Sequence, residues 1–191
     1  MRKTIILLLA LLVLVGCFDS QRVQEEQLAR YETYWTSMLN ETQFQTTSRN
    51  FNIEVDIDKV DNFYEYYVVI DEAKVAMYDI EIMVIENSEL FDAFDRMLPS
   101  VGIFDEPFNM VPYQVRRDLN YREGAALVRQ ELTEPQVTIQ VMVMWKNYTR
   151  LESFREMFEF ELDYDASQTE MEDSLSDENG TEQNNESETE E

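Results

Sequence analysis

Apolar and polar positions fall into four regimes along the chain. Ile5 to Val15 is apolar without interruption. From Val23 to Met38 the apolar residues Leu28, Tyr31, Trp35 and Met38 recur at spacings of 3, 4 and 3, which lays them along one helical face. Glu25, Glu26, Arg30 and Glu32 fall opposite. Asp19 or Ser20 is suited to cap this helix, and no Gly or Pro interrupts it before Asn40. Such a stripe either packs on the domain's own sheet or serves assembly, and its short length favours packing. Thr42 to Asn50 is polar and reads as a linker.

From Phe51 the period becomes two. Phe51, Ile53, Val55 and Ile57 alternate with Asn52, Glu54, Asp56 and Asp58, the pattern of a half-buried strand. Asp61-Asn62 supplies a turn, and Phe63 to Ile70 resumes as a strand apolar on both faces, hence a central one. Val75 to Glu86 follows. Asn87 and Ser88 are placed to cap a short helix whose apolar face is Leu90, Phe91, Phe94, Met97 and Leu98, ended by Pro99. Val101 to Tyr113 is irregular and too apolar for a free loop. Ala125 to Leu132, Val137 to Trp145 and Phe154 to Leu162 are further strands, the middle one having Val137, Ile139, Val141, Val143 and Trp145 on one face. In the fourth regime, Asp163 to Glu191, 12 acidic residues and no Lys or Arg occur. Such a segment buries too little apolar surface to offset its ordering entropy, so disorder is expected.

Six or seven strands with regular turn signals predict a mainly β fold, an antiparallel Ig-like β-sandwich with an N-terminal helix and one short inserted helix. The scarcity of Gly, 4 residues in all, keeps a second architecture open: α+β, with the N-terminal helix packed on one antiparallel sheet. The expected organisation is 1–16 signal peptide, 17–50 lipid-anchored helix and linker, 51–162 β-rich globular domain, and 163–191 acidic tail.

The signal-peptide reading comes from the first regime. Arg2 and Lys3 form a positive n-region, and the apolar run of eleven residues fits an h-region while falling short of the ~20 that span a bilayer. The run ends in Leu14-Val15-Gly16-Cys17, which resembles the lipobox of bacterial lipoprotein precursors. The resemblance covers the signal segment alone. It implies that Cys17 receives a diacylglyceryl group and that cleavage falls between Gly16 and Cys17, leaving a lipidated Cys17 as the first mature residue. Two acyl chains hold a protein stably where one binds only reversibly. Cys17 is also the one cysteine in the chain, so an intrachain disulfide and a thiolate zinc site are excluded.

Charge and composition narrow the function further. The chain carries 15 basic and 40 acidic residues. A net charge of −25 excludes the basic footprint that nucleic-acid binding requires. It also opposes electrostatic adhesion to anionic lipid, which leaves the acyl anchor as the expected membrane contact. Histidine is absent, which removes the usual general base near neutral pH and the commonest transition-metal ligand.

Four groups of residues are candidates for chemistry. Asp177, Asn179, Gly180 and Glu186 stand at positions 3, 5, 6 and 12 of an EF-hand loop, but position 1 would be Leu175, which has no ligating group. Asp56, Asp58 and Asp61 cluster near a strand end, where solvated outward carboxylates are the simpler account. Arg116, Arg117, Arg122 and Arg129 form a basic group suited to an anionic ligand or to balancing nearby carboxylates. A carboxylate pair for glycoside hydrolysis needs no histidine, though none stands out among so many acids. No catalytic, cofactor or metal residue is therefore assigned.

The sequence reading is a lipoprotein anchored to the cell membrane through Cys17 on the extracytoplasmic face. Its expected role is non-catalytic, in interaction or envelope structure, with a protein partner in the cell envelope. The alternative is a small carboxylate-dependent hydrolase acting on cell-wall or extracellular polymer. A transporter's solute receptor is a weaker third, since such receptors need two lobes.

Overall fold

The computed structural model describes residues 2–91, 97–112 and 120–165, with side chains from Gln21 onward. One helix, α1 (Arg2–Leu39), precedes eight strands: β1 (Asn52–Val60), β2 (Phe63–Asp71), β3 (Met77–Glu86), β4 (Ser100–Val101), β5 (Phe108–Met110), β6 (Ala125–Leu132), β7 (Gln136–Lys146) and β8 (Ser153–Asp163). The fold is mainly antiparallel β, in two sheets. One is ordered β1-β2-β6; the other is ordered β4-β3-β7-β8, with β5 also pairing with β3.

The inner faces of the two sheets share one core. Ile57, Tyr66, Val68, Ile70 and Leu127 from the three-stranded sheet meet Ile80, Ile82, Val84, Ile139, Val141, Val143 and Phe158 from the five-stranded one. A separate apolar cluster lies on the far face of the five-stranded sheet, where Tyr31, Trp35 and Met38 of α1 cover Met83, Ile85, Met142 and Met157. The described residues are thus layered helix, sheet, sheet, a β-rich fold in which the N-terminal helix packs on one antiparallel sheet. The central strand β3 is buried on both faces, which is why it reads as a nearly continuous apolar run. Its two faces differ in kind. Ile and Val, stiff at χ1, dominate the inter-sheet side, whereas flexible methionines gather under the helix, where the surface to be filled is irregular.

Several local expectations change. Helix α1 does not begin at Asp19 or Ser20 but runs through them from Arg2. The apolar segment before them is itself helix-compatible, and Gly16 alone does not break the hydrogen-bond ladder. The buried stripe is narrower than the sequence implied: Tyr31, Trp35 and Met38 are buried, while Val23 and Leu28 are exposed. Thr42 to Asn50 is no loose linker. The Gln45 N–H donates to the Met157 carbonyl (2.9 Å) and the Glu159 N–H to the Gln45 carbonyl (3.3 Å), so this segment lies along the free edge of β8. Asn50 Nδ2 donates to Glu156 Oε1 at 2.7 Å and holds its far end.

Asn87 and Ser88 form a tight turn with φ of 50° and 52° rather than capping a helix; Asn and Ser tolerate that conformation better than bulkier residues. Part of the expected short helix, residues 92–96, lies outside the described residues. The irregular segment after Pro99 supplies the two short strands β4 and β5. Between them Gly102 has φ +80°, and a Cβ there would sit 2.4 Å from the Ile80 carbonyl oxygen, so only glycine fits this approach.

Candidate functional site

Charged side chains inside the layers are the most informative polar features. Glu81 projects from β3 toward α1 and is nearly buried. Arg30 Nη1 donates to its Oε1 at 2.9 Å, and the Tyr34 hydroxyl donates to its Oε2 at 2.7 Å. Arg30 Nη2 also donates to the Ile103 carbonyl at 2.6 Å. Burial, followed by the hydrogen bond to Glu81, pushes the Tyr34 hydroxyl pKa well above its ordinary value. Arg30 was expected on the polar face of α1; instead it reaches into the dock, because a guanidinium offers several donors in one plane to a carboxylate and a carbonyl together. Around this centre, Gln27 Nε2 donates to the Phe104 carbonyl, Trp35 Nε1 to the Glu89 carbonyl, and Arg155 Nη1 to Ser37 Oγ. Tyr31 accepts from the Leu98 N–H at 3.1 Å and donates back to the Leu98 carbonyl at 3.3 Å. Burial pushes its hydroxyl pKa up to about 12. These contacts fix α1 across the five-stranded sheet, from the segment after β4 to β8. Residues 21–26 are exposed, so the helix leaves the body before Gln27.

A second centre lies between the sheets. Glu86, at the end of β3, accepts from Arg129 Nε of β6 at 2.9 Å and from the Tyr66 hydroxyl of β2 at 3.0 Å. The two charged side chains are 5% and 14% exposed. Burial first, then the Glu86 charge, raises the Tyr66 hydroxyl pKa far above normal. The centre joins three strands from both sheets. Its polar atoms satisfy one another, so it acts as a structural tie.

A third centre is Asp79, at the irregularity where β3 leaves register with β7. Its φ is 48°, its N–H donates to Asn109 Oδ1 at 3.0 Å, and its carboxylate takes Lys146 (3.1 Å) and Arg150 (3.6 Å). The bulge re-aims the Asp79 side chain toward the β7–β8 hairpin. None of these three acidic centres was anticipated. Glu81 and Glu86 sit in an apolar strand at ordinary alternation, and a carboxylate there looks solvated until helix α1 or strand β6 is placed over it.

The residues singled out beforehand are distributed as follows. Gly16 and Cys17 lie within the backbone of α1, ahead of the region where side chains are described. Asp56 and Asp58 share the outward face of β1, as alternation required, and Asp61 occupies the β1–β2 turn with φ 56°. Among the described residues no group of three or more carboxylates is arranged to hold a metal ion. The basic group separates: Arg129 is committed to Glu86, while Arg122 lies over the Phe108 ring and 3.9 Å from Asp105. Arg116, Arg117, and the tail with Asp177, Asn179, Gly180 and Glu186, lie outside the described residues.

Two surface hollows are open rather than enclosed. One, at the β7–β8 end, is lined by Asn87, Gln136, Thr138, Glu161 and Asp163; the other, beside the start of β6, by Asp71, Glu72, Glu123 and Gly124. Among the described residues no helix is long and apolar enough to cross a membrane. Comparisons with protein-family models, curated proteins and solved structures found no match.

Proposed function

We propose that this chain is a lipid-anchored extracytoplasmic lipoprotein whose β-sandwich, an Ig-like variant with a helix on one outer face, serves in interaction or envelope structure. The observation that carries the reading is Leu14-Val15-Gly16-Cys17, placed directly after a basic n-region and an eleven-residue apolar run in a chain with a single cysteine. The arrangement of α1 supports it. Gln27, the first described residue whose side chain is hydrogen-bonded to the body, stands ten residue steps after Cys17, and at 1.5 Å per step these make a helical spacer of about 15 Å. A lipid on Cys17 would then hold the sheets clear of the headgroups through a stiff element whose direction Arg30 and Glu81 set. An interaction role is supported by the Glu86 carboxylate being engaged by Arg129 and Tyr66 as a structural tie.

The test is Cys17→Ser expressed beside the wild type. The wild type is expected in the membrane fraction, with a mass gain on its first mature residue matching a diacylglyceryl modification. The variant should lose the modification and leave that fraction. A processed Cys17→Ser protein that stays membrane-bound would refute the anchor.

A further inference from the structure

The layering leaves the two outer sheet faces unequal. Helix α1 covers the five-stranded sheet, whereas the outer face of the three-stranded sheet has no element over it among the described residues. Alternation and register place Glu54, Asp56, Asp58 and Val60 of β1 outward, opposite Val69, Tyr67, Glu65 and Phe63 of β2, with Asp71 at the end of that strand. Ala126 and Val128 of β6 continue the face beside Val69 and Tyr67. Two features stand out.

The first is apolar. Val60 and Phe63 are directly opposed and 46% and 45% exposed, and Val128, beside Tyr67, is 40% exposed. With Tyr67, Val69 and Ala126 they form a strip along the face that Glu65 interrupts between Phe63 and Tyr67. From Phe63 to Val69 it runs about 20 Å at strand rise, the length of about 14 helical residues.

The second is electrostatic. Glu54, Asp56, Asp58 and Asp71 rim that strip along β1 and at its end, and Glu65 stands within it; no Lys or Arg shares the outward register of β1, β2 or β6, the exposed Lys59 having the opposite register and lying over the Tyr64 ring. Asp58 stands directly opposite Glu65, a cross-strand like-charge pair that opposes folding unless positive charge covers it. The Tyr67 hydroxyl donates to Glu65. That bond first, then burial and the nearby charges of Glu65, Asp58 and Asp56, pushes its pKa up to about 12.

We propose that this face docks a cationic amphipathic helix of a partner protein, its apolar side on the Val60–Phe63–Val69–Val128 strip and its Lys or Arg side chains on the carboxylate rim. The proposal rests on reading the chain as an interaction protein, and supplies the surface and the chemistry of its partner. Charge complementarity selects a cationic occupant. The choice of a helix over an added strand comes from β1: the outward N–H of Ile57 is already taken by Asp56 Oδ1 at 2.8 Å, which blunts the edge a strand would pair with. A helix on a sheet face is also how the chain covers its other sheet.

The test uses the full chain in non-ionic detergent and a fluorescent peptide of about 18 residues, with lysine and leucine at helical spacing, read by anisotropy. A scrambled peptide of the same composition measures diffuse attraction to an acidic protein. D56N/D58N/E65Q and, separately, Phe63→Ser probe the rim and the strip. E25Q/E32Q/E134Q removes three exposed carboxylates elsewhere. Thermal melts check that each variant folds.

The amphipathic peptide is expected to bind at least about tenfold tighter than the scrambled one at about 50 mM salt. The face variants should each lose about tenfold or more, and the remote triple variant less than about twofold. Equal binding of the scrambled peptide, an equal loss in the remote variant, or unchanged binding by both face variants would overturn the proposal. None of these readouts depends on Cys17, so failure here is distinct from failure of the anchor.

Discussion

Arg129→Met offers a direct test of how the two sheets are held together. The Glu86 carboxylate sits between them at 5% exposure, with Arg129 Nε at 2.9 Å and the Tyr66 hydroxyl at 3.0 Å. Removing the guanidinium leaves a buried carboxylate with one neutral donor, and stranding one partner of a buried pair costs about 3–5 kcal/mol. For a domain of this size that is a drop of about 6–20 °C in melting temperature. The pair itself is worth much less than this figure, because each ion loses its hydration on folding. Replacing both, as Glu86→Leu with Arg129→Met, should recover most of the loss, but it leaves the Tyr66 hydroxyl without its acceptor at about 1–3 kcal/mol. Adding Tyr66→Phe removes that orphan and should bring the triple variant to within about 1 kcal/mol of wild type. Urea unfolding at neutral pH measures each step, provided the slope stays constant across the series. A loss below about 1 kcal/mol for Arg129→Met alone would show that water reaches Glu86, and the closed inter-sheet centre would then be incorrect.

Two further outcomes follow from the same packing. In Tyr31 the hydroxyl keeps its proton to about pH 12, against about 10 in an unfolded chain, and Tyr34 and Tyr66 are shifted the same way. Above pH 10 the native state therefore binds more protons than the unfolded one. Stability should be unaffected by these groups below pH 10 and should fall above it, by on the order of 1.4 kcal/mol per pH unit for each of the buried Tyr31 and Tyr66 and by less for the partly exposed Tyr34. Absorbance at 295 nm followed with circular dichroism should show a fraction of tyrosines that ionise only as the fold is lost; simple titration of all ten near pH 10 would contradict this. Gly102→Ala places a Cβ 2.4 Å from the Ile80 carbonyl at φ +80°, and should cost at least about 1–3 kcal/mol by thermal melting. Gly124→Ala, with the nearest contact at 2.7 Å but an ordinary φ, is expected to cost less.

The strands were legible because their burial follows the period of two. Ala125–Leu132 was recovered to the residue, and the other long strands to within two residues at each end. Topology was not legible, since nothing local in Phe63–Asp71 says that its second neighbour is β6 rather than β3. The helix face was half legible. Tyr31, Trp35 and Met38 gave its direction, but Leu28 fits the same spacing and is exposed.

The polar centres were hidden for a related reason. Each draws its partners from elements far apart in the chain: Arg30 with Glu81, Glu86 with Arg129, Asp79 with Lys146. One clue was available in hindsight. On β3 the inter-sheet face reads Ile80, Ile82, Val84, Glu86 and the helix-facing side reads Glu81, Met83, Ile85, so both faces carry a carboxylate where apolar residues otherwise continue. In a strand apolar on both faces no outward side exists, and any carboxylate within it requires a buried donor from another layer. That rule finds Glu81 and Glu86 and calls for their partners. In β1, whose outward side is open, it makes no such demand. Glu54, Asp56 and Asp58 stand on that open side, where the proposed cationic helix would meet them.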